Sequence, residues 1–99
     1  MIMVVETSEK SERIRVADDK YILYRTPDLY FSAYLCALDV HLETTEEEYP
    51  NGKRKVVFVF KVKKDCLARM KAGFFGGTAT VRALTFTERL RSLKMLCHV

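Results

Sequence analysis

The sequence predicts an α+β domain, a small antiparallel sheet built from hairpins with about three helices packed on it. β-branched and aromatic residues alternate over Val56–Val62 and flank turn-prone stretches at residues 17–20 and 50–52. Helix starts led by a hydroxyl or carboxylate occur at Thr26, Asp65 and Thr85. The 99 residues are 48% hydrophobic and 30% charged, with four glycines and two prolines, the profile of one folded domain and not of a low-complexity chain. A chain this short buries only ~60–65% of its unfolded surface, so its stability margin is modest and a second copy would add to it.

Residues 1–99 are read as a single domain in which residues 1–12 form an N-terminal strand, around Val4-Val5, and a polar connector, Thr7 to Glu12. Ile14–Val16 and Tyr21–Tyr24 flank Ala17-Asp18-Asp19-Lys20, which predicts a hairpin. Thr26-Pro27-Asp28 combines an N-cap hydroxyl, a proline that presets φ, and a carboxylate at the positive end of the helix dipole. A first helix is therefore expected from about Pro27 to about Asp39. Its residues leave hardly any polar side, which points either to the centre of the domain or to a subunit contact.

Tyr49-Pro50-Asn51-Gly52-Lys53 marks a second hairpin. A two-residue turn would set Val56, Phe58, Phe60 and Val62 against Glu47, Thr45, Glu43 and His41. A three-residue loop sets them against Glu46, Thr44, Leu42 and Val40, a more apolar row, and gives Pro50 the i+1 position it prefers. The second register is expected, with Glu48 beside Arg54 and Glu47 beside Lys55. A short helix capped by Asp65 should end near Ala72-Gly73, where Phe74-Phe75-Gly76-Gly77 breaks the pattern. A short strand over residues 78–83 should follow. Thr85 and Glu88 then have capping-box spacing for a last helix whose core stripe is Phe86, Leu90, Leu93 and Cys97.

Charge is unevenly spread: residues 26–50 carry a net −6 and residues 51–75 a net +7, within an overall +4. The hairpin register cancels part of this. Lys61, Lys63, Lys64, Arg69, Lys71 and Arg82 remain, together with Arg91 and Lys94, which share a face of the last helix with Thr87 and His98. Cations gathered on one face bind phosphate through counterion release without reading sequence, so these eight residues are the candidate contacts to DNA or RNA. Tyr49 and Phe75 are the candidate stacking platforms for unpaired bases.

Catalytic chemistry is not supported. Cys36 with His41 and Cys97 with His98 have no nucleophile signature, and residues 97 and 98 point about 100° apart on a helix. The cysteines and histidines form no C-x-x-C or H-x-x-x-H pair of the kind that nucleates a zinc site. Strand alternation separates Glu47 from Glu46 and Glu48, which disfavours a paired-acid centre. Gly76-Gly77-Thr78 follows a helix, whereas a phosphate cradle opens onto one. No cofactor, metal or small-molecule substrate is expected. Three cysteines, an odd number, suit a reducing compartment, and Met1–Val5 followed by Glu6 lacks the pattern of an export signal. The longest apolar stretch, residues 29–38, is about half of the ~20 needed to span a bilayer. The expectation is a cytoplasmic protein with no membrane segment.

Thr26-Pro27-Asp28-Leu29 leading into Ala33-Tyr34-Leu35, then Val56–Phe60, Phe74-Phe75-Gly76-Gly77 and Leu90-Arg91-Ser92-Leu93-Lys94, resemble a small bacterial and phage-associated domain family of unknown function, over about residues 21–96. The resemblance implies a compact α+β domain in a bacterial or phage setting, and it transfers no catalytic residue. One departure from the pattern is Asp39, where a glycine would close the first helix. The reading of the whole chain is a non-enzymatic binding module that contacts nucleic acid without sequence preference. The alternative is a structural or protein-interaction module acting as a homodimer.

Overall fold

The computed structural model describes residues 13–97. Within them run β1 (Arg13–Val16), β2 (Tyr21–Thr26), α1 (Leu29–Ala37), β3 (His41–Glu48), a 3-10 turn at Pro50–Gly52, β4 (Lys55–Lys63), α2 (Leu67–Phe75) and α3 (Ala83–Cys97). The four strands make one antiparallel sheet in the order β1-β2-β4-β3. All three helices lie against one face of it. One core joins Ile22 and Tyr24 of β2 and Phe58, Phe60 and Val62 of β4 to Phe31, Tyr34 and Leu35 of α1, Leu67 of α2 and Leu93 of α3. The N-terminal strand expected near Val4-Val5 lies outside the described residues.

Helix α1 is apolar on nearly every side because it is the centre of the domain. Its residues from Phe31 to Leu35 are all buried, between the sheet, α3 and the aromatic pair Phe74 and Phe75 of α2. The helix starts two residues later than Thr26-Pro27 suggested. Thr26 is held in β2 opposite Phe58, so Asp28 caps instead, its Oδ1 accepting from the Phe31 N–H at 2.9 Å. At the other end Asp39 takes the place where a glycine was expected, with φ +63°. The Val40 N–H donates to Leu35 O and the Asp39 N–H to Cys36 O, both at 3.0 Å, which is the paired closure of a Schellman turn. An aspartate tolerates this left-handed conformation less well than glycine. Asp39→Gly is therefore expected to stabilise the fold by about 0.5–1 kcal/mol in urea titration. A loss of stability would mean that the carboxylate itself holds the turn.

The β3–β4 register corrects the sequence reading. Near the turn Glu48, Glu47 and Thr45 face Lys55, Val56 and Phe58, the phase assigned above to a two-residue turn. Further on Leu42 faces Phe60 and His41 faces Lys61, the phase assigned to the three-residue loop. A bulge at Glu43 joins the two phases. Asn51 and Gly52 are both left-handed, at φ +55° and +79°, and the Lys53 N–H donates to Pro50 O at 3.1 Å, a two-residue turn that sets the phase beside it. Glu48 therefore meets Lys55 instead of Arg54. Arg54 reaches Glu47 at 2.8 Å and also donates to Cys97 O at 2.5 Å, tying the hairpin to the end of α3.

Three further boundaries differ from expectation. Helix α2 begins at Leu67 with Cys66 as its N-cap and no side-chain cap, and it runs through Phe75, so both phenylalanines are helical. It closes over Gly77, at φ +81°, with Thr78 N–H donating to Gly73 O at 2.9 Å. Residues 78–82 make no strand: Thr78 and Ala79 are bonded back to Gly73, and Ala79 and Val81 pack on the core. Helix α3 starts at Ala83, which puts Thr85 and Glu88 inside it; Phe86, Leu90, Leu93 and Cys97 do form its core stripe.

Candidate nucleic-acid interface

Strand pairing sorts the side chains between two faces, because directly opposed residues share a side and neighbours along a strand alternate. Ile14, Tyr24, Phe60 and Leu42 form a row on the helix side. The opposite face of the sheet carries no described helix. Its rows are Arg13, Arg25, Val59 and Thr44, then Arg15, Leu23, Lys61 and His41, then Tyr21 and Lys63. Val57 with Glu46, and Lys55 with Glu48, complete it towards the turn.

Arg25 organises this face. Its Nε donates to Glu46 Oε1 at 2.8 Å and its Nη2 to Glu48 Oε2 at 3.0 Å, although β4 lies between their strands. The side chain therefore runs across β4 over Val57 and Val59, both buried outside the main core. The Arg25 side chain is 14% exposed. Burial opposes its charge, but the carboxylates of Glu48 and Glu46 outweigh that and hold the guanidinium above its ordinary pKa. Arg25→Ala should cost about 1–2 kcal/mol, since it uncovers two valines and leaves two glutamates side by side. Urea unfolding checks this; a change below about 0.3 kcal/mol would mean that the strap contributes nothing.

Arg25 reaches towards the β3–β4 turn to hold Glu46 and Glu48, and Glu47 is taken by Arg54 on the helix side. The half of the face nearer the β1–β2 turn carries Arg15, Lys61 and Lys63 around Leu23 and Tyr21, while Arg13 stands in the row of Arg25 and lines a shallow hollow with Glu43 and Glu46. Lys61 Nζ stands 5.1 Å from the centroid of the Tyr21 ring. Carboxylates adjoin this region as well, Asp39 among them, which lines one groove with Tyr21, Lys61 and Lys63. Asp18 accepts from the Lys20 and Tyr21 N–H groups, which with nearby Lys61 and Lys64 hold its pKa below the usual carboxylate range. Glu43 lies 3.3 Å from His41 at the rim.

Of the eight cations expected to act together, only Lys61 and Lys63 lie on this face. Lys64 is in the turn that follows β4. Arg69 and Lys71 belong to α2, with Lys71 Nζ 5.5 Å from the Tyr24 ring centroid, and Arg91 and Lys94 belong to α3; Arg82 immediately precedes α3. These five belong to the helical layer, so the eight do not share one surface. The stacking candidates are similarly separated. Tyr49 is exposed beside the hairpin turn, where its hydroxyl donates to Glu47 Oε1 at 2.7 Å, lowering the Glu47 pKa and raising its own. Phe75 is 58% exposed, but its ring packs 5.2 Å from Phe31 and edge-on to Phe74 at 5.0 Å.

Arg13 and Arg15 were missed because the first 25 residues carry no net charge. The signal that marks them is alternation: Arg13-Ile14-Arg15-Val16 sends both arginines to one side of a strand. Cys36 has the elevated thiol pKa of a partly buried group, burial outweighing the opposing pull of Arg89. Among the described residues no three His, Cys, Asp or Glu side chains are grouped to hold a metal ion, and no helix is long and apolar enough to cross a membrane. No family model matches the chain, and no curated protein or solved structure matches it either.

Proposed function

We propose that the chain is a non-enzymatic module that binds single-stranded nucleic acid, without sequence preference, on the face of the sheet turned away from the helices. The observation that carries this reading is the grouping of Arg15, Lys61 and Lys63 around Tyr21 on that face, while Arg25 holds Glu46 and Glu48 nearer its far end. Cations supply phosphate affinity, and an aromatic ring on a sheet gives an unpaired base something to stack on.

Fluorescence anisotropy with a labelled oligothymidylate tests it. Binding should appear at low salt and weaken steeply as salt rises, with a log–log slope of about −0.7 per phosphate neutralised. A duplex of equal length should bind less well, because its bases are not free to stack. No binding at low salt would remove the proposal.

A second reading, self-association as a homodimer, is favoured by one feature. Ile14 and Val16 of β1, an edge strand among the described residues, are 60% and 67% exposed. Light scattering after size exclusion separates the two, since a monomer at high concentration excludes the dimer.

A further inference from the structure

At the β1–β2 end of the sheet a groove of about 670 Å³ opens between the C-terminal turn of α1, the start of β3, the end of β4 and the first turns of α2. That size falls within the range of about 300–1,000 Å³ usual for small-ligand sites. Leu38, Val40, Val62 and Met70 give it apolar surface, and Lys61, Lys63, His41 and Asp39 give it polar groups. Tyr21 also lines it. Tyr21, Lys61 and Lys63 thus belong both to the groove and to the basic half of the sheet face, so the two are continuous.

We propose that this groove receives one unpaired base of a bound strand, stacked on Tyr21 with its phosphates on Lys61 and Lys63. The proposal rests on the reading of the sheet face as a nucleic-acid interface and names the part of the strand that the face selects. Three features favour that occupant. The apolar surface suits a flat ring more than a hydrated phosphate. The cations stand at the junction with the proposed backbone path. Asp39 and His41 add hydrogen-bonding groups of the kind that base edges pair with, and the Schellman turn fixes the position of Asp39. In the unbound protein the Lys61 ammonium sits by the Tyr21 ring; an arriving phosphate would draw it off and leave the ring to the base.

Two oligomers of equal length and charge separate the base from the backbone: oligothymidylate and an abasic deoxyribose-phosphate strand. The expected result is that the abasic strand binds at least about tenfold more weakly, the scale of one to two lost stacks. Tyr21→Ala should weaken oligothymidylate about tenfold and leave the abasic strand within about twofold. The chain has no tryptophan, so Tyr21→Trp supplies a single indole whose emission a stacked base quenches. Quenching by oligothymidylate and none by the abasic strand is expected, and this readout stands even where Tyr21→Ala fails to fold. Equal binding of both strands with no quenching overturns the base site and leaves the sheet-face reading intact. Binding of neither strand at low salt overturns both.

Discussion

Phe31→Ala is expected to lower the stability of the fold by about 3–5 kcal/mol, the cost of emptying a large aromatic site in a packed interior. Phe31 is wholly buried, and its ring lies 5.2–6.1 Å, centroid to centroid, from Tyr24, Tyr34, Phe74 and Phe75. It joins the sheet to α1 and α2 at one point. A domain of this size has about 5–15 kcal/mol of stability in total, so the variant should be at or near the threshold of folding. Urea titration should show the midpoint falling with the slope unchanged. Tyr30→Ala, one residue away on the exposed side of the same helix, should stay within about 0.5 kcal/mol of the parent. A loss below about 1 kcal/mol for Phe31→Ala would mean that the aromatic cluster is not the hub described.

Reversing two charges on the sheet face, Arg15→Glu with Lys61→Glu, is expected to weaken oligothymidylate binding by about 100-fold or more at low salt, because two phosphate contacts become repulsions. The salt slope should become shallower by about 1.4 or more, the share of two contacts to a single strand. The two residues lie in one row across the sheet, Arg15 opposite Leu23 and Lys61 on its other side, so they are tested as one surface. Arg91→Glu with Lys94→Glu on α3 makes the matching change of charge in the helical layer. It should alter affinity by less than about threefold beyond the long-range effect of net charge. The opposite ranking would move the interface to α3, where the sequence reading had placed part of it.

The class of fold was legible because it depends on local signals. The Tyr21–Tyr24 and Val56–Val62 alternations, the aspartate and proline before α1, and the α3 stripe each report on their own surroundings. What was not legible depends on competition between segments. Thr26 is a good N-cap in isolation, yet β2 claims it by pairing with Phe58, and Asp28 takes over. Residues 78–82 have strand-like composition, but they are bonded back to Gly73 at the end of α2. The interface was hidden for a similar reason. Charge counted along the chain groups Lys61 with Lys64, Arg69 and Lys71, which the turn after β4 divides between two layers. It scatters Arg13, Arg15, Lys61 and Lys63, which pairing brings to one face. The strap across β4 was invisible too, since nothing local to Arg25 announces partners 21 and 23 residues away.

The bulge at Glu43 has a consequence for solubility. Because Leu42 already faces Phe60 and Thr44 already faces Val59, excising Glu43 would preserve every cross-strand partner and keep leucine inward. It would also straighten β3, the outermost strand on its side of the sheet, into an unbroken ribbon with backbone groups ready to template another chain. A shortened protein of this kind should fold with near-parental stability and yet precipitate on concentration, so the surplus glutamate acts against polymerisation more than for the native state.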